Sequence, residues 1–343
     1  MTHAKDKKKY QIKNPKAFEE IVTNSETMIS FFQYAESIAH SSHPILITGE
    51  TGVGKDLMAK SIYILSNLKG RFVAVNVAGL DDNIFSDTLF GHVKGAFTGA
   101  DENRHGLIRY ATNGMLLLDE IGSLSPASQV KLLRLLQEGE YLPLGQDKIE
   151  KTNARLVTST NEDLWSLMRN EKFRKDLNFR LRTHHIHIPP LRERLDDIPL
   201  LVDHFLNKSA RELEKKKPTP PKELYQRLKT YSFPGNVREL EAMVHNAVTM
   251  HTGGMLSLDM FKLHIKQEQE SVVPSTKIES EHHLPITFGK DLPTIKQANK
   301  MLVVEAMKRA NNNQTLAASM IGITRQALSK RLKNMKSDLF TAP

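Results

Sequence analysis

The chain has 343 residues, 39% of them hydrophobic and 25% charged, and it contains no cysteine. This composition suits a soluble protein of two or three domains with a buried core, and it excludes a disulfide scaffold and thiolate metal sites. There is no apolar run of about eighteen residues to span a membrane, and the lysine-rich start lacks the apolar stretch of a secretory signal, so a cytoplasmic setting is expected.

The net charge of +9 is uneven. Residues 1–16 hold six Lys against one Asp, and residues 285–343 hold ten Lys/Arg against three Asp/Glu, which leaves −3 for the middle. A near-neutral body with basic ends predicts that polyanion binding is confined to the ends. Residues 1–17 read as a basic, solvated tail. From Pro44 to Pro190, short apolar runs alternate with helical patterns: Ile45–Thr48, Phe72–Val75, Met115–Leu118, Ala154–Thr158 and His185–Ile188. Runs this short and continuous predict buried parallel strands, and the stretches between them supply crossover helices. The expectation is a doubly wound α/β domain over residues 18–190. His184, His185 and His187 alternate on the last run, which favours core or surface histidine over a metal site.

From Asp197 to Lys266 the pattern turns helical. Leu200, Leu201, Phe205 and Leu206, then Leu224, Leu228, Val237, Leu240, Val244 and Val248, recur at helical spacing. Pro218–Pro221 and Pro234-Gly235 break one helix from the next. Residues 191–266 are therefore expected to form a small helical subdomain. Residues 267–293 mix Ser, Pro, His and Glu without periodicity and read as a linker. Compact helices follow over residues 294–343.

The chemistry begins at Gly49-Glu50-Thr51-Gly52-Val53-Gly54-Lys55-Asp56. This stretch follows a strand and opens a helix, the context a phosphate-binding loop requires. Glycines let backbone N–H groups approach phosphate oxygens, the helix N-terminus adds positive potential, and Lys55 would reach the terminal phosphates of ATP. Asp56 stands where a magnesium-binding hydroxyl is usual. The run Met115–Leu118 then delivers Asp119-Glu120 at its C-terminal edge. Two carboxylates there fit Asp119 to position Mg²⁺ and Glu120 to polarise the attacking water.

At this point the residues resemble a known family. Gly95-Ala96-Phe97-Thr98-Gly99-Ala100 resembles the signature loop of sigma-54-dependent activators, a branch of the AAA+ ATPases. Phe72–Asn76, Leu89–His92, Leu135–Glu140, Leu191–Arg194 and Phe233–Leu240 agree with the same family. The resemblance implies an AAA+ fold, a parallel sheet with a helical lid, and it adds roles. An acidic residue after the loop lysine is a family trait, so Asp56 is a mild departure. Asn76 resembles the switch residue that holds the catalytic glutamate, here Glu120. Thr160-Asn161 resembles the γ-phosphate sensor, and Arg238 the lid sensor. Arg174 and Arg180 resemble arginine fingers given to a neighbouring subunit's ATP, which implies a ring, typically a hexamer. The Gly95–Ala100 loop is expected to engage sigma-54. Arg109 and Leu142–Gly145 depart from the family pattern at positions that help couple hydrolysis to loop movement.

The last segment, Asn313 to Lys333, reads as helix, glycine turn, helix. Thr324 suits an N-cap, and Ala318, Ile323, Leu328 and Leu332 suit an inner seam. Thr324, Arg325, Gln326, Ser329, Lys330 and Arg331 are left to reach bases and phosphates. The segment resembles a Fis-type helix-turn-helix. The whole is expected to be an ATP-dependent transcription activator that acts on sigma-54 RNA polymerase and binds promoter-upstream DNA. The resemblance starts near Phe18, where most relatives carry a sensory module, which implies a separate regulatory protein or a longer parent chain. Two rivals differ in class. The Gly95–Ala100 loop argues against a replication initiator, and intact Lys55, Asp119 and Glu120 argue against a repressor on an inactive ATPase scaffold.

Overall fold

The computed structural model describes residues 12–271, 294–310 and 313–337. Contacts divide the chain into two compact units, residues 1–273 and 274–343.

In the first unit, α1 (Glu26–Ile38) precedes β1 (Ile45–Thr48), and α2 (Lys55–Ser66) precedes β2 (Phe72–Asn76). Then come α3 (Asp82–Phe90), a hairpin of β3 (Gly91–His92) and β4 (Arg104–His105), α4 (Leu107–Tyr110) and β5 (Met115–Asp119). Next are α5 (Pro126–Glu138), the short pair β6 (Glu140–Tyr141) and β7 (Glu150–Lys151), β8 (Arg155–Thr160), α6 (Leu164–Arg169), α7 (Lys175–Leu181) and β9 (His184–His187). Five strands form one sheet in the order β2-β5-β8-β1-β9, and every pairing in it is parallel. The expected runs all became strands, with ends shifted by one or two residues.

Alternation along these strands separates two cores. Leu46, Leu116, Leu118 and Leu156 pack on one face with Phe85, Leu89 and Leu132. Ile45, Ile47, Met115, Leu117, Val157 and Ile186 pack on the other with α1 and α2. Successive side chains of a strand point to opposite faces, so a strand covered by helices on both sides is apolar throughout. Arg155 crosses the second layer as a buried cation. Its guanidinium donates to the carbonyls of Ile38 and Ala39 and to Ser66 Oγ, and burial lowers its pKa to about 10.

The lid follows: α8 (Ile198–Glu212), α9 (Lys222–Lys229), α10 (Asn236–Thr249) and α11 (Asp259–Ser271). Leu201, Phe205, Leu206, Leu224, Leu228, Leu240, Val244 and Val248 meet in its core. Leu200 does not join them. It is 37% exposed, one position off the buried stripe of α8. Helix α11 also runs to Ser271, past the start expected for the linker, because Asp259–Ser271 continues a helical pattern that polar residues obscured. The remainder of that stretch, 272–293, and residues 1–11 of the expected tail lie outside the described residues. Residues 12–17 are not a solvated tail, since Ile12 and Ala17 pack on the core and the Lys13 and Asn14 N–H groups donate to Glu36. Among the described residues, no helix is long and apolar enough to cross a membrane.

The second unit packs α12 (Ile295–Arg309), α13 (Gln314–Met320) and α14 (Arg325–Ser337). Thr294 and Gln297 form a capping box at the start of α12. Ala317, Ala318 and Leu328 are buried against Val303 and Ala306, with Ile323 and Leu332 beside them.

Candidate functional site: an ATP cavity and a projecting loop

The phosphate loop leaves the buried end of β1 and enters α2 through Gly54, which caps the helix at φ 103°. Glycine offers no capping side chain, so the first N–H groups of a twelve-residue helix are left for an anion. They open on a cavity of about 950 Å³, a volume typical of a ligand site. Thr51 to Asp56, Asn76, Asp119, Glu120 and Arg238 line it. Of the residues expected at ATP, Gly49, Glu50, Thr160 and Asn161 stand outside this lining.

Lys55 is buried. Its ammonium group donates to the carbonyls of Gly49, at 3.0 Å, and Glu50, at 3.5 Å, and lies 3.7 Å from Glu120 Oε1. Glu120 follows β5 directly, in a left-handed conformation with φ 62°. Such a backbone is uncommon outside glycine and is tolerated where surrounding contacts fix it. Asn161, one residue beyond β8, supplies the contacts. Its N–H donates to Glu120 Oε2 at 3.2 Å and its amide Nδ2 to Thr51 Oγ1 at 3.0 Å. Thr160 is buried, and its carbonyl accepts from Gly49 N–H at 3.3 Å.

Asp119 accepts from Ser159 Oγ at 2.6 Å and from Asn76 Nδ2 at 3.3 Å. This corrects one expectation: Asn76 holds Asp119, not Glu120. The register explains it, since Asn76 lies directly opposite Asp119 in the β2–β5 ladder and Glu120 lies one residue beyond. Asp56, in the first turn of α2, has its pKa raised, first by burial and then by the Asp119 charge. Two carboxylates facing one another beside an anion-binding helix end suit a cation such as Mg²⁺, which commonly takes only one or two carboxylates and completes its shell with phosphate and water.

Arg238 heads the lid side of the cavity, with its N–H 3.3 Å from Gly52 O. Arg174 and Arg180 do not line the cavity. Arg174 grips Asp176 at 3.0 and 2.7 Å, and Arg180 donates to Leu136 O at 3.4 and 3.3 Å. Sequence reasoning missed the opposite wall. Ile21, Val22, Leu201 and Phe205 give it apolar surface, and Arg194, 5% exposed, ties it to Val53 O. Spacing carries no signal for a wall assembled from a linker, a lid helix and an arginine far apart in the chain.

The Gly95–Ala100 loop sits between β3 and β4, away from the cavity lining. Gly95 N–H to Ala100 O, at 2.8 Å, closes it, and Ala100 is buried. Thr98 is exposed, and Phe97 is 47% exposed. The Phe97 ring meets the His92 ring edge-on at 5.0 Å. His92 is held in turn by Asp87, at 2.5 Å, and Asp87 also takes Arg104. Leu144 bonds the root on its β3 side: its carbonyl accepts from Val93 N–H at 3.0 Å and its N–H donates to the Gly91 carbonyl at 2.9 Å. The segment Leu142–Gly145 therefore touches the loop base directly, and Arg109 lies 3.0 Å from His105 at the end of β4.

In the second unit, Thr324 Oγ1 accepts from Ala327 N–H at 3.2 Å and starts α14. Gly322 makes the preceding turn at φ 68°. Thr324, Arg325, Gln326, Lys330 and Arg331 are exposed, and Ser329 is half-buried.

A parallel sheet with a phosphate loop, paired acids at the neighbouring strand end and a helical lid on the cavity defines an AAA+ ATPase that binds ATP. Residues 21–187 match the sigma-54 interaction domain, 192–278 the AAA+ ATPase lid domain, and 294–335 the Fis family of bacterial regulatory proteins. The regulatory protein AtoC of Escherichia coli is 37% identical over 93% of this chain and 68% of its own length. The formate hydrogenlyase transcriptional activator FhlA of the same organism is 38% identical over 94% of this chain and 45% of its own. Among solved structures, NtrX from Brucella abortus in complex with ATP superposes with a TM-score of 0.66 at 26% identity, covering 92% of this chain and 69% of that one. The chain belongs to the family of sigma-54-dependent transcriptional activators, with an ATPase domain and a helix-turn-helix DNA-binding domain.

Proposed function

We propose that the chain assembles into a ring, a hexamer, in the cytoplasm, binds enhancer-like DNA upstream of promoters, and uses ATP hydrolysis to remodel closed complexes of sigma-54 RNA polymerase holoenzyme into open complexes. What carries the reading is the separation of two devices within one α/β body. A phosphate cradle has Glu120 held beside Lys55, and elsewhere an exposed Phe97-Thr98 tip stands on a rooted loop. The division of labour runs along the chain: an ATPase body to residue 190, a lid from residue 191 through α11, and DNA binding from 294 to 343.

At the cradle, the N–H groups of α2 take phosphate oxygens and Lys55 turns from its own loop carbonyls to the terminal phosphate. The Glu120 carboxylate accepts the proton of the attacking water while Asn161 fixes its direction. Asp119, with Asp56 nearby, would hold Mg²⁺, which supplies positive charge to the phosphates. Thr160 and Asn161 sense the γ-phosphate position. Arg174 and Arg180, both away from their own chain's cavity, serve the ATP of a neighbouring subunit, a contribution of about 10³–10⁵ in rate for an arginine finger. On DNA, Arg325, Gln326, Ser329, Lys330 and Arg331 meet bases and phosphates beyond the Thr324 cap.

The test compares hydrolysis with partner capture in one preparation. Thr98→Ala is expected to keep substantial ATPase activity and ring formation, lose sigma-54 capture in the presence of ADP and aluminium fluoride, and fail to open promoters. A variant that captures sigma-54 and opens promoters like wild type would refute the loop as the working contact.

A further inference from the structure

The phosphate-loop glutamate, Glu50, does not line the cavity. Both Glu50 carboxylate oxygens are taken by Arg192, at 2.8 and 2.6 Å, in a two-pronged ion pair. One of them also accepts from Asn236 Nδ2 at 3.0 Å. Arg192 stands at the entry to the lid, before α8, and Asn236 is the first residue of α10, so two separate parts of the lid hold the loop. The bonds to Arg192 hold the Glu50 carboxyl below the usual carboxylate range.

Asn236 is built for this place. It is fully buried, left-handed at φ 53°, and uses both ends of its amide. Nδ2 donates to Glu50 and to Thr51 O at 3.0 Å, while Oδ1 accepts from Leu191 N–H at 2.8 Å. One amide thus joins the phosphate loop, the entry to the lid and the start of α10. The next two N–H groups of α10, Val237 and Arg238, converge on Gly52 O at 3.0 and 3.3 Å. The helix that carries Arg238 is therefore docked on the phosphate loop itself.

We propose that Glu50, Arg192 and Asn236 are positioning residues that latch the lid to the phosphate loop, fixing the angle at which α10 presents Arg238 to ATP. The inference deepens the ATPase reading and rests on it for its kinetic arm. Glu50 touches no reacting atom. It acts through the lid, so its loss disturbs alignment for turnover more than grip on the nucleotide. Misplacing a catalytic constellation by about 1 Å can cost on the order of 100-fold in rate.

The chain has no cysteine, so a single pair of spin labels reports lid position without competing thiols. Exposed Lys69, after α2, and Lys229, at the end of α9, are suitable sites as Lys69→Cys and Lys229→Cys. The distance distribution between them is measured by pulsed electron resonance in Glu50→Gln, Arg192→Gln and the double variant, with and without ATP. Steady-state ATPase kinetics are run alongside. Each single variant is expected to broaden the distribution and to lower kcat by roughly tenfold or more, with KM changed by less than about threefold. The double variant should be no worse than the weaker single, because both remove one interaction. Wild-type turnover in Arg192→Gln beside a dead Glu50→Gln would overturn the latch and place Glu50 on the nucleotide. An unchanged distribution in all three variants would overturn it too. A wild-type chain without ATPase activity counts against the ATPase reading instead, and the distance measurement without nucleotide then decides the latch alone.

Discussion

The phosphate loop and the Gly95–Ala100 loop are both glycine-rich, and they are built in opposite ways. Gly52 and Gly99 each have a positive φ, +79° and +96°. A Cβ on Gly52 would lie 2.3 Å from the carbonyl oxygen of Gly235, whereas a Cβ on Gly99 would meet nothing within 4 Å. Gly52 is needed for space as well as for backbone conformation, and Gly99 for conformation alone. One loop is pressed against the lid so that ATP meets a fixed surface. The other is tied at its root and left clear around its tip, where Phe97 and Thr98 are exposed. The same residue type marks a clamp in one case and a free-standing turn in the other, and only the surroundings tell them apart.

The sharpest division of the clamped side is between gripping ATP and breaking it. Glu120→Gln should cut turnover by about 10²–10⁴, the usual contribution of a positioned base, with ATP affinity within a few-fold of wild type in equilibrium binding. Turnover like wild type would remove Glu120 from the chemistry. A smaller effect, but one that reaches the fold, is expected of Gly52→Ala. Overpacking costs about 1–3 kcal/mol, and a left-handed non-glycine residue about 1–2 kcal/mol more. Calorimetry should show a lowered Tm, and ATP binding should weaken. Gly99→Ala should cost only the second of these, about 1–2 kcal/mol, with ATP affinity and basal ATPase rate unchanged. Equal losses in the two glycine variants would break the comparison.

A mixing experiment extends it between subunits. Arg180→Ala chains combined with Lys55→Ala chains should recover part of the ATPase activity that neither has alone, because some interfaces then pair two intact halves. No recovery in rings that demonstrably contain both would refute shared sites.

Much of the ATPase body is legible in the amino-acid sequence. The five apolar runs became the five strands of the sheet because strands buried on both faces must be apolar at every position. Lys55, Asp119 and Glu120 met at one cavity because each sits at a strand end or a helix start, where sequence position dictates place. What stayed hidden depends on pairing across the chain. Nothing in Asn76 alone says that its ladder partner is Asp119. Glu50 reads as one more residue of a phosphate loop until Arg192 and Asn236 are brought beside it from more than 140 residues away. Leu200 lies in α8 as its spacing implies, yet is 37% exposed, because a stripe of leucines does not declare its edge.

The Leu144 bonds at the root of the projecting loop limit its stroke. Val93 and Gly91 are pinned to Leu144, and His92 is paired with Arg104 across the hairpin. Between Lys94 and Asn103, ten residues remain as a lever. A chain extends by at most about 3.3–3.6 Å per residue, so ten residues going out and back rise no more than roughly 17 Å above the hairpin. A target deeper than that lies beyond the loop unless Leu144 first lets go, and the segment Leu142–Gly145 therefore sets how far the loop can reach.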